Sequence, residues 1–320
     1  MTLGSFFHYG SIAGTIACSA LGISIGLSYI AKGAIDALYT QPSAHKEISK
    51  ISILAMALTE TGGVIGLTVS LMLFITTLKL DNTLLYPGLA RFGIFFTTGL
   101  VSLFVGIVSA LPARQACLSV ARQPFFSTKI MNLLLITMSI VQTPIIFGFL
   151  AAVMINSQAN TAESIGQALA ILSAGVCLGI GSIGPAYGQS IYAAQACETL
   201  GNNRDTYRGI LTFSLISQAM IESPIIFALL ITLVILGTTS NLMTPIQAVV
   251  TTVAGFCVGI NNIATGISSG RTAAAASKQI THNLSSYTAI TRTSLIAQGL
   301  IDTFAIYGLL IGLLLLFLGK

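Results

Sequence analysis

The stretch AMIESPIIFAL, Ala219–Leu229, places one glutamate, Glu222, deep inside a run of apolar residues. The pattern recurs along the chain, with a polar residue in the same place of each run and a hydroxyl residue directly after it. The other three copies are ALTETGGVIGL around Glu60, SIVQTPIIFGF around Gln142 and GLIDTFAIYGL around Asp302. These four polar positions, here called the anchors, are separated by 82, 80 and 80 residues. Such a constant period indicates tandem repeats of one structural unit.

Each period contains two long apolar blocks joined by a short polar stretch. A block of about 20 apolar residues is long enough to cross a bilayer as a helix. Since 54% of the residues are hydrophobic and only 7% are charged, the composition excludes a water-soluble globular fold. We predict an all-α membrane protein of four tandem transmembrane helical hairpins, with eight helices. The hairpin repeats are predicted at 1–82, 83–160, 161–241 and 242–320, and their helices at 10–38, 48–78, 88–121, 128–156, 164–200, 208–238, 245–279 and 287–318.

The basic residues predict how the hairpins are oriented. Of the 14 basic residues, all but Lys79, Arg91 and Lys320 lie in or near the connection inside a hairpin. The positive-inside rule places these connections in the cytoplasm and both chain termini outside. The basic residues are scattered rather than gathered on one face, which argues against nucleic-acid binding. No basic residue precedes Lys32, so we expect no secretory signal and a first apolar block that stays in the protein.

The first helix of each predicted hairpin is rich in glycine. Helices in lipid associate through close backbone packing, so small residues spaced about four apart mark tight helix interfaces. We expect the first helices to form a tightly packed inner layer, with the second helices outside. The glycines are Gly10, Gly14, Gly22 and Gly26 in repeat one, Gly175, Gly179, Gly181, Gly184 and Gly188 in repeat three, and Gly255, Gly259, Gly266 and Gly270 in repeat four.

Three of the nine acidic residues, Glu60, Glu222 and Asp302, occupy anchor positions. A charge at the middle of a bilayer costs about 3 kcal/mol or more, so an ionisable residue there is by default a functional hypothesis. A carboxyl group that is neutral when loaded and charged when empty can carry an ion. Gln142 takes the anchor position of repeat two and cannot do so. The repetition of the carboxylate in register therefore predicts ion translocation.

The identity of the ion stays open between Na⁺ and H⁺. Na⁺ requires several oxygen ligands, whereas a proton requires only the carboxylate. The residue 33 positions before each anchor is Leu27, Ser109, Gln189 or Ser269. Oxygens from Gln189, Glu222 and Ser223 could together bind Na⁺, and the hydroxyls of Thr61 and Thr303 follow the other two carboxylates. The oxygen set of Glu60 is poorer, because Leu27 stands where repeat three has Gln189.

Two stretches of repeat three resemble one hairpin of a known family. They are GIGSIGPAYGQSIYAAQACETL, Gly179–Leu200, and IESPIIFALL, Ile221–Leu230. They resemble the c-type proteolipid of rotary F-type and V-type ATP synthases and ATPases. Arg122, Gln123 and Pro124 match the polar-loop motif of the F-type members. The resemblance extends over essentially the whole chain as four fused c-type hairpins. The loop motif is kept only as Gln41 and Pro42 in repeat one, reads Asn-Asn-Arg at 202–204 in repeat three and is lost in repeat four.

The resemblance implies a ring in which this chain forms an arc, with first helices inside. It implies that Glu60, Glu222 and Asp302 carry ions past a stator a subunit, with Gln189, Ser223, Thr61 and Thr303 as further ligands. The polar loop of Arg122, Gln123 and Pro124 is expected to contact the central stalk. Expected partners are other copies of the chain, the a subunit, stalk subunits and lipid, in a bacterial or archaeal plasma membrane. The transported ion takes the place of any cofactor.

The resemblance also has a numerical consequence for a ring built only from this chain. Three copies would hold twelve hairpins but only nine ion carboxylates, and fewer ions per ATP favour pumping against a steep gradient. A V-type proteolipid in an ATP-driven pump is therefore an alternative to a synthase subunit. A secondary transporter or a structural membrane scaffold is a further alternative, although transporter repeats are commonly inverted and their helices broken around the site.

Overall fold

The computed structural model describes residues 3–77, 85–239 and 244–318. Over these residues it has eight helices that are long and apolar enough to span a membrane, which confirms the predicted fold class. Most begin or end a few residues beyond the predicted bounds, because the helices continue into their polar ends. The helices are α1 Leu3–Thr40, α2 His45–Thr77, α3 Leu85–Arg122, α4 127–159, α5 Ile165–Asn202, α6 Tyr207–Thr238, α7 Pro245–His282 and α8 Tyr287–Leu318.

Three of the helices contain a local break close to a proline. The α-helical pattern of α4 is interrupted at Gln142, two residues before Pro144, and that of α5 at Ser182, three residues before Pro185. Proline removes a backbone donor and crowds the preceding turn, which explains breaks at these places. The same applies to α3, which is interrupted at Ser109, three residues before Pro112, and which also includes a π-helical turn over Phe95–Leu100. In contrast, α6 runs through Pro224 without a break.

The connections inside the four hairpins are built alike. Each begins with one residue in an extended or otherwise non-helical conformation, followed by a three-residue 3₁₀ turn that leads into the second helix. This first residue always carries a carboxamide. Because the four connections have the same length and shape, the second helices start at the same level and their anchors lie at the same depth. The four residues are Gln41, Gln123, Asn203 and Asn283.

The first helices pack against each other in chain order, with α1 against α3, α3 against α5 and α5 against α7. Glycine permits the closest of these approaches, since a Cβ atom at Gly26 would overlap the carbonyl of Gly106, and one at Gly188 that of Gly266. The second helices contact each other in the same order. The molecule is therefore a row of four hairpins in two layers, with the glycine-rich helices in one layer as the sequence predicts.

Arg91 does not lie in a connection but within α3, where it is only 2% exposed. Its guanidinium donates a hydrogen bond to Asn160 Oδ1 at the end of α4, and its Nη1 lies 3.5 Å from His8 Nδ1 on α1. The side chain therefore ties the first two hairpins together at the end opposite to their connections. Lys79 and Lys320 lie outside the described residues, and the orientation in the membrane stays a prediction.

The close glycine contact between α5 and α7 can be tested with one substitution at two positions. Gly188→Ala should lower the free energy of unfolding by about 1–3 kcal/mol, because the added methyl group overpacks the interface. Gly237→Ala is the matched control, since no atom lies within 4 Å of a Cβ built at that position. Unfolding in mixed detergent micelles, followed by circular dichroism, measures both. Equal stability of the two variants would contradict the close packing of α5 on α7.

Candidate ion-binding sites between hairpins

The four anchors lie at the middle of the second helices, as expected for residues at the centre of a bilayer. Their exposure differs along the row. Gln142 is 7% exposed, Glu222 and Asp302 are half-buried, and Glu60 is exposed. The difference in exposure follows from the position of each anchor in the row. Each anchor faces the preceding hairpin, and Glu60 lies in the first hairpin, which has no preceding hairpin within the chain.

The hydroxyl group after each anchor is held by its own helix. It donates to the carbonyl oxygen three residues earlier in all four hairpins. In α4 and α6 the accepting carbonyl is the one that loses its amide partner to proline, so the hydroxyl replaces the missing backbone donor. The side-chain oxygen is thereby fixed in position with lone pairs to spare. The pairs are Thr61 to Leu58 at 2.8 Å, Thr143 to Ile140 at 2.8 Å, Ser223 to Met220 at 2.8 Å and Thr303 to Leu300 at 2.6 Å.

Within the chain, the first three of these hydroxyls each meet the anchor of the next hairpin. Ser223 Oγ lies 3.2 Å from Asp302 Oδ2, and Thr61 Oγ1 lies 3.5 Å from Gln142 Oε1. Between them in the row, the Thr143 side chain lies beside the Glu222 carboxyl group. The sequence predicts Ser223 as a ligand of the Glu222 site, whereas the Ser223 hydroxyl lies beside Asp302. The candidate sites therefore lie between hairpins.

A single proton limits what each of these hydroxyls can do. Ser223 has one hydroxyl proton, and its oxygen lies closer to the Met220 carbonyl, at 2.8 Å, than to Asp302, at 3.2 Å. With that proton on Met220, the Ser223 oxygen can only accept. It can then receive the proton of a neutral Asp302 carboxyl group or share a lone pair with a cation. The geometry suits either form of ion carrier.

The first-helix position 33 residues before the anchor has a different environment in each hairpin. Gln189 is fully buried, and in the structure neither atom of its carboxamide has a hydrogen-bond partner. Ser109 lies 3.2 Å from Thr59, whereas Leu27 is half-buried and offers no polar atom. An unpaired buried amide costs about 1–3 kcal/mol, so the Gln189 carboxamide is a candidate ligand group.

A second glutamine position, four residues before the anchor, was missed by the sequence analysis. Gln218 is fully buried, and its carboxamide has no partner in the structure. Gln298, also fully buried, donates to Ser217 at 3.3 Å and to Ser294 at 3.1 Å. The signal was available in the repeat register, because these two glutamines are 80 residues apart. Repeats one and two have methionine there, Met56 and Met138.

At the polar loop that is predicted to contact the central stalk, the connections of hairpins two and three form one surface. Gln123 donates to the Gly201 carbonyl at 3.1 Å, and Arg122 donates to Asn202 Oδ1 at 2.8 Å. Pro124 begins the 3₁₀ turn that exposes Phe125 fully. A groove of about 560 Å³ runs between the two connections. The three residues of the loop motif thus line one surface, with an apolar ring at its edge.

The C-terminal half of the chain matches the family model of the ATP synthase C subunit, over residues 172–235 and 252–315. The ATP synthase c subunit of Dehalococcoides mccartyi is 36% identical over 66 residues, which are 21% of this chain and 87% of that protein. Its counterpart in Geotalea uraniireducens is 37% identical over 68 residues, 21% of this chain and 75% of that protein. The ATP synthase subunit c of Thermotoga maritima is 37% identical over 65 residues, which are 20% of this chain and 76% of that protein.

Each relative is matched over at least 75% of its own length by about a fifth of this chain. This proportion agrees with a chain of four hairpins, each comparable in size to a whole relative. The mid-helix carboxylates, the glycine-rich first helices and the similarity to these proteins lead to one conclusion. The chain is a multi-pass integral membrane protein of the ATP synthase C-subunit family, which implies an ion-translocating rotor ring.

Proposed function

We propose that Glu60, Glu222 and Asp302 each carry one monovalent cation, Na⁺ or H⁺, past a stator a subunit as the ring turns the central stalk. The observation that carries the proposal is the contact between an anchor and the hydroxyl of the preceding hairpin, at the middle of the membrane-spanning helices. A charge there is too costly to keep without a function. Binding neutralises the carboxylate, and release requires a compensating positive charge on the stator.

The proposed ligand sets combine two hairpins. Glu222 is joined by Gln189 of its own hairpin and Thr143 of the preceding one, and Asp302 is joined by Ser223. In a ring of identical copies, Thr303 at the end of one copy serves Glu60 of the next. Thr61 contacts Gln142, which has no charge to neutralise, so this junction carries no ion. Each copy then contributes two sites formed within the chain and one completed by a neighbour.

We further propose that hairpins one and two are c-type units like the matched hairpins three and four, with repeats at 1–82, 83–160, 161–241 and 242–320. Their equal connections and their anchors at the same depth support this division. Four hairpins then carry three ions. Each charge moved is worth about 2.3 kcal/mol per 100 mV, so fewer charges per turn supply less energy for synthesis.

The surface formed by Arg122, Gln123 and Pro124 is proposed as the contact with the central stalk, on the cytoplasmic side. The exposed ring of Phe125 and the groove beside it support docking of a partner there. The F-type loop motif favours a synthase. The second candidate, a V-type ring in an ATP-driven pump, is favoured by Gln142, since a ring with fewer carriers than hairpins can pump against a steeper gradient.

Carbodiimide labelling of the purified ring tests the ion-carrier role. The reagent reacts with protonated, accessible carboxyl groups, so mass spectrometry should find adducts on Glu60, Glu222 and Asp302. Glu222→Gln should remove one of the three adducts and lower ATP-driven ion transport by the reconstituted complex, because an uncharged carboxamide cannot carry an ion. Absence of adducts at all three residues, or full transport by the variant, would favour a structural scaffold.

Restoring the fourth carboxylate tests the role of Gln142. In Gln142→Glu, the number of labelled carboxyl groups per chain should rise from three to four. Burial at the same depth as the other anchors favours the protonated form of the new carboxyl group, which is the form that reacts. The control is Gln279→Glu, the same substitution at an exposed position near a connection, where the acid stays ionised and unlabelled. An unlabelled Glu at position 142 would show that the junction between hairpins one and two differs in more than its charge.

A further inference from the structure

We infer that the carboxylate sites within one chain differ in the cation they accept: the Glu222 site binds Na⁺, whereas the Glu60 site binds only a proton. The inference rests on the proposed function and deepens it. These two sites are compared because they differ at two positions of the repeat, the one 33 residues before the anchor and the one four residues before it. Both positions carry glutamine before Glu222 and an apolar residue before Glu60.

The first observation is a pair of buried carboxamides in hairpin three. Gln189 on α5 and Gln218 on α6 are both fully buried, and none of their four polar side-chain atoms has a hydrogen-bond partner in the structure. A buried amide without a partner is unfavourable, because it has lost its hydrogen bonds to water. Gln298, at the equivalent position of hairpin four, is by contrast bonded to Ser217 and Ser294. Hairpin three, which carries Glu222, thus contains buried polar groups that have no hydrogen-bond partner.

The second observation places this pair next to Glu222. In hairpin four the equivalent residues are Ser269 and Gln298, whose side-chain oxygens lie 3.5 Å apart. Hairpin three has the same register, since Tyr192 on α5 bonds Ser214 on α6 at 2.8 Å. Gln189 therefore faces Gln218, and Glu222 follows Gln218 by four residues on the same side of α6.

These groups form an oxygen set suited to a hard cation. Glu222 supplies a carboxylate, Gln189 and Gln218 supply carboxamide oxygens, and Thr143 supplies a hydroxyl from the preceding hairpin. The four oxygen donors come from three helices, α4, α5 and α6. A cation bound among them would replace its lost water with protein oxygens and satisfy the oxygen atoms of both carboxamides. Such replacement is what Na⁺ requires in a low-dielectric site.

The Glu60 site has none of these amides. Leu27 and Met56 stand at the two positions, both half-buried, and they offer no oxygen. A thioether is only a weak acceptor. In a ring, the hydroxyl that serves this site is Thr303 of the preceding copy. Na⁺ would lose its hydration without compensation there, whereas a proton needs only the carboxylate oxygen. The ring then carries Na⁺ and H⁺ together in a fixed ratio.

The test is the rate of carbodiimide labelling at each residue of the intact ring, with NaCl or with choline chloride at equal ionic strength and pH. Bound Na⁺ displaces the reactive proton, so Na⁺ at about ten times its dissociation constant should slow labelling of Glu222 about tenfold. Labelling of Glu60 in the same sample should not change. The two peptides are read from one digest by mass spectrometry, and each therefore serves as the control for the other.

Exchanging the surrounding residues gives the decisive variants. Gln189→Leu with Gln218→Met should remove Na⁺ protection from Glu222 while leaving it reactive. Leu27→Gln with Met56→Gln should confer protection on Glu60. Labelling of Asp302, which neither pair alters, reports whether the ring has assembled.

The outcomes separate the inference from the proposed function. Equal protection of Glu60 and Glu222, or protection of neither with both still labelled, would overturn the inference and leave the ion-carrier role intact. Labelling of no anchor carboxylate would overturn the ion-carrier role itself.

Discussion

The cost of an ionised carboxyl group at the middle of a bilayer is the constraint on which the rest of this structure depends. At about 3 kcal/mol or more for each charge, the anchors must be neutralised wherever they meet lipid, and they must lie at one depth if they are to exchange ions at the same place. The equal connections set that depth, because each second helix starts from the same 3₁₀ turn. The close glycine contacts between first helices keep the four hairpins in register.

The same constraint explains why the hydroxyl residues bond to their own helices. A hydroxyl whose proton is held by a backbone carbonyl presents only lone pairs to its surroundings, as Ser223 does toward Asp302. Such an oxygen stabilises a protonated carboxyl group or a bound cation, and it offers little to an empty, charged carboxylate. The proline two residues after the anchor in α4 and α6 supports this arrangement, since it leaves the accepting carbonyl without its usual amide partner.

The sequence was sufficient for the eight helices and the depth of the anchors, because apolar length and a constant period depend on local composition alone. It was insufficient for the composition of the sites. Glu222 and Ser223 are neighbours in the chain, yet successive residues of a helix point about 100° apart and do not face each other. Ser223 therefore contacts the next hairpin. Similarly, nothing local indicates that Arg91 is buried, because His8 and Asn160 belong to other helices.

Sharing each candidate site between two hairpins also explains how hairpin two can lack a carboxylate and still contribute to a candidate site. Thr143, directly after Gln142, still contacts Glu222. A ring of identical single hairpins has one kind of junction, so any substitution changes every site together. Four different hairpins in one chain create four different junctions, and each can be altered separately. Fusion of the hairpins therefore permits unequal sites at fixed positions around the proposed ring, as the contrast between Gln189 with Gln218 and Leu27 with Met56 illustrates.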